Sequence, residues 1–199
     1  MYDVSKFAYE RRGKVSWLRL PGDNGCHSLT PAVDRELESA CERVEEDEDC
    51  VVTVVTGTGN IFCNGLLPEV VTPEQIREKY GRVRGVEAIA QLTKPTVAAL
   101  NGDACGIGLE IALACDIRVT TKTARFSLPQ VSNNVIPFGG ATQRLPRIVG
   151  QSTALEMILT GKIIDADHAL RIGLVSDTVP VDEFATRVDE IASGLLGKG

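Results

Sequence analysis

The sequence is poor in aromatic residues, in histidine and in long apolar runs. Aromatic residues make up 5% of the 199 residues, with one tryptophan and two histidines. His27 and His168 share no ligand-like spacing with a cysteine, and no C-x-x-C pair occurs, so no metal site is predicted. No apolar run could span a bilayer, and the N-terminal stretch lacks the apolar core of a secretion signal. We therefore expect a cytoplasmic protein that does not bind a membrane.

Positive charge is also scarce. The chain has 21 Lys and Arg against 27 Asp and Glu, and its net charge is −6. A surface that neutralises nucleic-acid phosphates needs clustered Lys and Arg. Nucleic acid is therefore not expected as a partner.

The six cysteines occur singly rather than in pairs. They lie mostly within apolar stretches, which is unlike the disulfide framework of a small secreted domain. We predict that they are reduced core residues: Cys26, Cys41, Cys50, Cys63, Cys105 and Cys115.

The length and the hydrophobic pattern predict one α/β domain. At 43% hydrophobic residues, the chain can bury one core and is short for two. Residues 15–20 and 50–56 are β-branched runs, and residues 31–47 between them have apolar residues at helical spacing. A strand, helix, strand order indicates that the two strands pair in parallel.

Similar patterns continue along the chain. Residues 57–65 are predicted to form a turn-rich loop, residues 73–92 a polar helix and residues 96–100 a strand. A buried helix is expected at 109–115, because nearly every residue there except Glu110 is apolar, followed by a strand at 116–120. After Phe126 the pattern is helical, with segments at 140–149, 153–159, 165–172 and 181–196.

The segment KPTVAALNGDACGIGLEIALACD, residues 94–116, joins an apolar strand to a buried helix through a glycine-bearing turn. Such a turn leaves N–H groups unpaired in front of the helix dipole, a site that favours a developing negative charge such as an enolate oxygen. Alternatively, Gly102, Gly106 and Gly108 only let the strand and the helix pack closely. A dinucleotide fingerprint fits poorly, because the third glycine is absent at the required spacing.

This segment resembles the second oxyanion turn of the crotonase (enoyl-CoA hydratase/isomerase) family. The resemblance continues through VVTVVTGTGNIFCNGL (51–66), ARFSLPQVSNNVIPFGGATQRLPRIVG (124–150) and ALEMILTGKIIDADHALRIGLVSDTVP (154–180). It implies a ββα spiral of parallel strands and turns with a helical C-terminal part. Residues 1–199 would then be one crotonase-like domain, with a spiral core at 1–150 and a shortened helical region at 151–199. It also implies a homotrimer or hexamer.

The resemblance implies a site that binds an acyl-CoA, or an acyl group carried on phosphopantetheine. No cofactor is bound tightly, since coenzyme A is part of the substrate. The thioester carbonyl would accept hydrogen bonds from the backbone N–H groups of Leu66 and Ile107. Where Ile107 stands, relatives usually have glycine. Neighbouring residues are assigned to substrate binding: Cys63, Asn64, Gly65, Gly106 and Gly108.

The hydratases of this family use two glutamates, and this chain retains one of them. The first is Glu110, and the second is replaced by Gln130, whose amide can orient water but cannot exchange a proton. Glu110 is either a base with a raised pKa or a structural carboxylate bound by neighbouring backbone or an arginine. Gln130, Asn133 and Asn134 form a polar group, either on the pocket wall or in an exposed loop.

The expected function is therefore an enzyme that stabilises an enolate of an acyl-CoA. A hydratase or isomerase with one catalytic glutamate fits the retained residues. A thioester hydrolase or decarboxylase of the same family is an alternative, because both depend chiefly on the oxyanion hole. A catalytically silent homologue that binds acyl thioesters is the alternative outside enzymes.

Overall fold

The strands of the computed structural model, which describes residues 6–22, 28–66, 72, 74–75, 78 and 82–197, form three sheets. Their bounds are β1 Ala8–Arg12, β2 Val15–Arg19, β3 Ser28–Leu29, β4 Val52–Thr56, β5 Ile61–Cys63, β6 Gly65–Leu66, β7 Thr96–Leu100, β8 Asp103–Cys105, β9 Ile117–Thr121, β10 Arg125–Ser127, β11 Ile164–Asp165 and β12 Asp177–Val179.

The α-helices lie between and after these strands. Their bounds are α1 Pro31–Glu46, α2 Arg84–Gln91, α3 Ile107–Ala114, α4 Ala141–Val149, α5 Gln151–Thr160, α6 Ala166–Arg171 and α7 Phe184–Leu196. A 3-10 helix covers Pro129–Asn133. The buried helix and the helices predicted after Phe126 are confirmed, with ends that differ by a few residues.

The largest sheet has the order β1-β2-β4-β7-β9-β12. Only its β1–β2 pair is antiparallel, and the other neighbours pair in parallel. In the β2–β4 pair, Val15 lies opposite Val52. The parallel pairing predicted from the strand, helix, strand order is therefore confirmed.

The chain winds as a spiral between this sheet and two smaller ones. One turn places β7 in the six-stranded sheet, β8 in the sheet β11-β10-β8-β5, and then α3, after which β9 returns to the large sheet. The preceding turn ends in β6, which pairs with β3 in parallel. This arrangement confirms the predicted ββα spiral with a helical C-terminal part. It also brings the ends of β5, β6 and β8 beside the start of α3.

The core lies on both faces of the large sheet. One face packs against α1, α2 and α3, and the other is covered by α7 through Val188 and Ala192. On α3, residues 107–113 are all buried, and Glu110 has an exposed fraction of 0%. A carboxyl group in such surroundings needs hydrogen-bond donors, because burying it without partners would be costly.

The cysteines described by the structure are free thiols. Cys41, Cys50, Cys63 and Cys115 are buried, and Cys105 is partly exposed. The prediction of reduced core residues is confirmed for the four buried cysteines, whereas Cys105 is a free thiol outside the core. Cys26 lies outside the described residues, as does His27.

Two predictions of secondary structure were wrong. The loop predicted at 57–65 contains β5 and the start of β6, because strands of two or three residues are too short to show a periodic pattern. The single helix predicted at 73–92 is interrupted at Arg82 and Val83, and α2 begins at Arg84. Residues 73, 76–77 and 79–81 lie outside the described residues.

The start of α2 is determined by a tertiary contact. The carboxylate of Asp34, on α1, accepts hydrogen bonds from the backbone N–H groups of Arg84 at 3.1 Å and Gly85 at 3.0 Å. These N–H groups have no partner within their own helix. The capping residue is fifty positions away in the sequence, so local pattern could not locate this helix end.

Candidate active site

The glycine turn before α3 presents backbone N–H groups that the helix leaves unpaired. Gly106 precedes the helix with φ of +55°, a conformation that L side chains rarely adopt. The first bond of the helix runs from the N–H of Glu110 to the carbonyl oxygen of Gly106, at 3.1 Å. The N–H of Ile107, the first helical residue, therefore has no acceptor within the helix.

The backbone at Gly65, where the predicted loop 57–65 ends, contacts the glycine turn at Gly106. Gly65 has φ of +101°, and a Cβ atom built on it would lie 3.1 Å from the carbonyl oxygen of Cys105. A Cβ atom built on Gly106 would lie 3.9 Å from Cα of Gly65. The residues that follow these two glycines, Leu66 and Ile107, therefore belong to turns in van der Waals contact.

Gly108 and Gly102 allow close packing of backbone, as the alternative interpretation of these glycines expected. A Cβ atom on Gly108 would lie 2.2 Å from the carbonyl oxygen of Cys63, and one on Gly102 would lie 1.8 Å from that of Asn60. At such distances the backbone itself would have to move. Close packing of α3 on β5 is thus what holds the two turns together, so the two interpretations are compatible.

Replacing Gly108 by alanine should separate α3 from β5. The added methyl group has no room beside the carbonyl of Cys63, so we expect the free energy of unfolding to fall by about 1–3 kcal/mol. Urea denaturation would measure this change. Gly194→Ala is the matched control, because Gly194 lies in α7 with open space around it and should gain about 0.4–1 kcal/mol. Equal stability of the Gly108→Ala variant and the wild type would contradict the packing argument.

On α3, the residue that carries the Glu110 carboxyl group follows the N–H of Ile107 by about one helical turn. Its Oε1 accepts a hydrogen bond from the backbone N–H of Ala141 at 2.9 Å, and its Oε2 accepts one from Nε2 of Gln130 at 3.2 Å. Ala141 is the first residue of α4, so the carboxylate also faces the positive end of that helix dipole.

Burial raises the pKa of Glu110 to about 7. The backbone N–H of Ala141, the neighbouring backbone of Gly139 and Phe138, and the positive charge of Arg144 favour the ionised form and act in the opposite direction. The predicted direction of the pKa shift is confirmed. Near neutral pH, this carboxyl group can both accept and release a proton.

The segment 138–141 is also part of the site, although the sequence did not lead us to predict it. A Cβ atom on Gly139 would lie 3.1 Å from Cδ of Glu110 and 2.5 Å from Cδ1 of Ile107, so its backbone covers both residues. Two consecutive glycines just before a predicted helix were a signal for such a close approach. Nothing local indicated which helix they would cover.

The residues predicted to form one polar group, Gln130, Asn133 and Asn134, lie in different surroundings. Gln130 contacts Glu110, and its Oε1 atom is buried without a hydrogen-bond partner among the described residues. Asn133 and Asn134 are exposed, and Asn134 ends the 3-10 helix with φ of +55°. Of the other predicted binding residues, Cys63 is buried beneath Gly108 and Asn64 is exposed next to Gly65.

Among the described residues, no group of three or more His, Cys, Asp or Glu side chains could hold a metal ion. In the same part of the chain, no helix is both long and apolar enough to cross a membrane.

Comparison with known proteins shows the family of the chain. The family model described as enoyl-CoA hydratase/isomerase matches residues 14–199. The chain belongs to this family of enzymes. It is therefore a crotonase-family member, as the resemblance indicated.

Individual family members share about a third of its residues. The short-chain-enoyl-CoA hydratase of Clostridium acetobutylicum is 32% identical, over 98% of this chain and 76% of that protein. The (E)-benzylidenesuccinyl-CoA hydratase of Thauera aromatica is 38% identical, over 86% and 68% respectively. The crystal structure of an enoyl-CoA hydratase from Bacillus anthracis is 32% identical and superposes with a TM-score of 0.89, covering 96% of this chain and 76% of that one.

Proposed function

We propose that this crotonase-family member converts an acyl-CoA thioester through an enolate held by two backbone N–H groups, with Glu110 transferring the proton. Hydration or isomerisation of an enoyl-CoA is the reaction that this arrangement supports best. The observation that carries the proposal is the buried Glu110 carboxyl, with its pKa near 7, one helical turn from the N–H of Ile107.

The oxyanion hole would consist of the N–H groups of Leu66 and Ile107. Contact between the backbone at Gly65 and at Gly106 supports this assignment, because it places the two residues that follow these glycines close to each other. Removing a donor of this kind from another enzyme costs about 2.7–4 kcal/mol of transition-state stabilisation. A side chain at Ile107 does not remove its amide donor, although its β-branch narrows the space around the turn.

Proton transfer would rely on Glu110, because an amide occupies the second carboxylate position. Isomerisation needs one group that removes a proton from one carbon and returns it to another, which a single carboxyl can do. In hydration, the same carboxylate would take a proton from the attacking water and then return it to the α-carbon of the enolate. The unpartnered Oε1 of Gln130 could accept the other hydrogen of that water and so orient it.

A thioester hydrolase or decarboxylase is the second candidate. It is favoured by the amide of Gln130, since neither reaction depends on a second carboxylate beside Glu110. All these reactions share the acyl-CoA as substrate and the oxyanion hole as the stabilising element. No tightly bound cofactor enters this proposal, because coenzyme A arrives with the substrate.

Two thioesters with three separate readouts would test the proposal. Hydration of crotonyl-CoA removes the enoyl thioester absorbance, isomerisation of a 3-enoyl-CoA creates it, and hydrolysis of either releases a free thiol. We expect one of the first two signals. Thiol release alone would favour the hydrolase, and tight binding without any turnover would favour a silent homologue. Absence of both binding and turnover would overturn the proposal.

Replacing Gln130 by glutamate should move the pH dependence of the reaction. A second carboxyl about 3 Å from Glu110 would raise the apparent pKa of the pair, because the two negative charges repel each other. The midpoint of the kcat/KM profile should then rise by about one pH unit or more. Gln143→Glu introduces the same charge at an exposed position of α4 and should leave the midpoint in place. Coincident profiles for wild type and Gln130→Glu would contradict the assigned contact.

We also propose that the chain is a single domain over 1–199, with a spiral core at 1–150 and a helical region at 151–199, and that it assembles as a homotrimer or hexamer. Exposed large apolar side chains support assembly: Ile136, Leu159 and Ile163 are 72%, 65% and 65% exposed. Light scattering coupled to size exclusion would measure the mass, and a monomer at micromolar concentration would contradict the assembly.

A further inference from the structure

A pocket of about 300 Å³ adjoins the backbone that covers Glu110. One side is formed by Arg82 and Val83, which precede α2, and by Glu87 within it. The other side is formed by segment 138–140 and by Arg144 on α4. Its volume is at the lower end of the range for small-molecule sites. The pocket can therefore hold a short group rather than a long chain.

Gly139 lies between this pocket and Glu110. Its backbone lines the pocket and also contacts Glu110, since a Cβ atom built on it would lie 3.1 Å from Cβ and Cδ of that residue. A substrate whose reacting carbons lie beside Glu110 could place a substituent only a few atoms away in this pocket. The pocket is thus suited to the acyl end of the thioester.

The charge of the pocket is positive on balance. Arg82 and Glu87 form an ion pair at 2.7 Å, in which the Arg82 side chain is 76% exposed, so these two charges largely compensate each other. Arg144 makes no ion pair within 4 Å among the residues that the structure describes. Its guanidinium is therefore the charge that an occupant of the pocket would meet.

The local backbone keeps this guanidinium in place. Nη1 of Arg144 donates to the carbonyl oxygen of Gly139 at 2.7 Å. The group occupies the space that a side chain on Gly140 would fill, since a Cβ atom there would lie 2.1 Å from Nη1. A guanidinium has five N–H donors in a planar fork that matches a carboxylate. One donor binds the protein backbone here, and others are available to a ligand.

We infer that the acyl group of the substrate ends in a carboxylate, which Arg144 binds in this pocket. This inference rests on the proposed function and narrows its substrate class to thioesters of short dicarboxylic acids. Val83 and Phe138 would pack against the carbon chain between the thioester and the carboxylate. A neutral acyl group of the same length would offer the guanidinium no anionic group within the pocket.

Binding of a matched pair of non-reacting thioesters would test this inference. Glutaryl-CoA and its methyl ester differ only at the terminal carboxyl group, which is charged in the acid and is neutral and one methyl group larger in the ester, and calorimetry gives a Kd for each. We expect the wild-type protein to bind glutaryl-CoA about tenfold or more tightly than the ester, as for a hydrogen-bonded charge pair. High ionic strength should reduce the preference, because salt screens an accessible ion pair.

Three variants separate the charge of Arg144 from its structural contact. Arg144→Gln should abolish the preference, and Arg144→Lys should retain most of it. Arg147→Gln removes an exposed arginine from the same helix, outside the pocket, and should leave the preference unchanged. The wild-type pair decides the question even where a variant fails to fold.

Equal binding of acid and ester by the wild type, or tighter binding of the ester, would overturn the inference and leave the proposed function intact. The same holds for a preference that survives in a folded Arg144→Gln variant. Failure to bind either thioester would also overturn the inference, and the assays with crotonyl-CoA and a 3-enoyl-CoA would then decide whether the proposed function falls with it.

Discussion

Replacing Glu110 by glutamine should lower kcat/KM for the thioester that the protein converts by about 10² to 10⁴-fold, the usual contribution of a general acid or base. Glutamine has nearly the same shape and can still accept the hydrogen bond from Ala141, but it cannot exchange a proton. Gln130 can turn its amide so that the unpartnered Oε1 accepts from the new amide group. The site should therefore remain folded while proton transfer stops.

The pH profile should identify the same group. A base must be ionised in the free enzyme, so wild-type kcat/KM should rise with pH and level off above about 7. Glu36→Gln removes an exposed glutamate of α1 and should change neither the rate nor the profile. The Kd for a saturated acyl-CoA should be similar in all three proteins. Near-normal activity in Glu110→Gln would assign proton transfer to another residue.

The same substitution should make the protein more stable at high pH. Because burial raises the folded-state pKa of Glu110 from 4.5 to about 7, ionising it in the folded protein costs about 3 kcal/mol at about 1.4 kcal/mol for each pKa unit. A neutral glutamine avoids this cost. Above pH 7 we therefore expect the free energy of unfolding of Glu110→Gln to exceed that of the wild type by about 3 kcal/mol.

The difference in free energy of unfolding between Glu110→Gln and the wild type should grow as the pH rises. Below pH 4.5 the carboxyl is protonated in both folded and unfolded chains, and the two proteins should be equally stable in this respect. Between pH 4.5 and 7 the unfolded chain ionises first, so wild-type stability falls and the difference grows. Urea titrations at several pH values would measure it, with Glu36→Gln as the reference. A difference that does not change with pH would contradict the raised pKa.

The expected loss of activity and gain of stability in Glu110→Gln both follow if Glu110 destabilises the fold and supports the reaction. A buried, partly ionised carboxyl is a poor structural element, since an apolar side chain on α3 would avoid the cost of desolvation. Groups with strongly perturbed pKa values are concentrated at functional sites. The hydrogen bonds to Glu110 fit both a catalytic base and a structural carboxylate. The loss of stability on ionising it at neutral pH favours the catalytic base.

Features carried by contiguous sequence could be predicted without the structure. The β-branched runs at β2 and β4, and the helix between them, required a parallel pair, because only a crossover connects such strands. The apolar sequence of α3 required its burial, and this already implied a raised pKa for Glu110. The glycines at 106 and 108 indicated a turn that approaches other backbone closely.

The partners of those features could not be predicted, because they are distant in sequence. Nothing near Asp34 showed that it would cap α2. Nothing near Gly139 showed that its backbone would cover Glu110, nor that Arg144 would bind Gly139 and place its guanidinium at a pocket wall. Such contacts depend on how the turns of the spiral stack, and local periodicity carries no information about stacking.

The sequence by itself therefore determined that two glycine-bearing turns, a buried helix and one glutamate would be present, since each depends on residues within a few positions of one another. Only the tertiary structure decided that the turns at Gly65 and Gly106 touch, and that Gln130 and Ala141 hold the carboxylate of Glu110. The physical reason is that close packing of backbone against backbone, and the loss of water around one carboxyl group, exist only after the chain has folded.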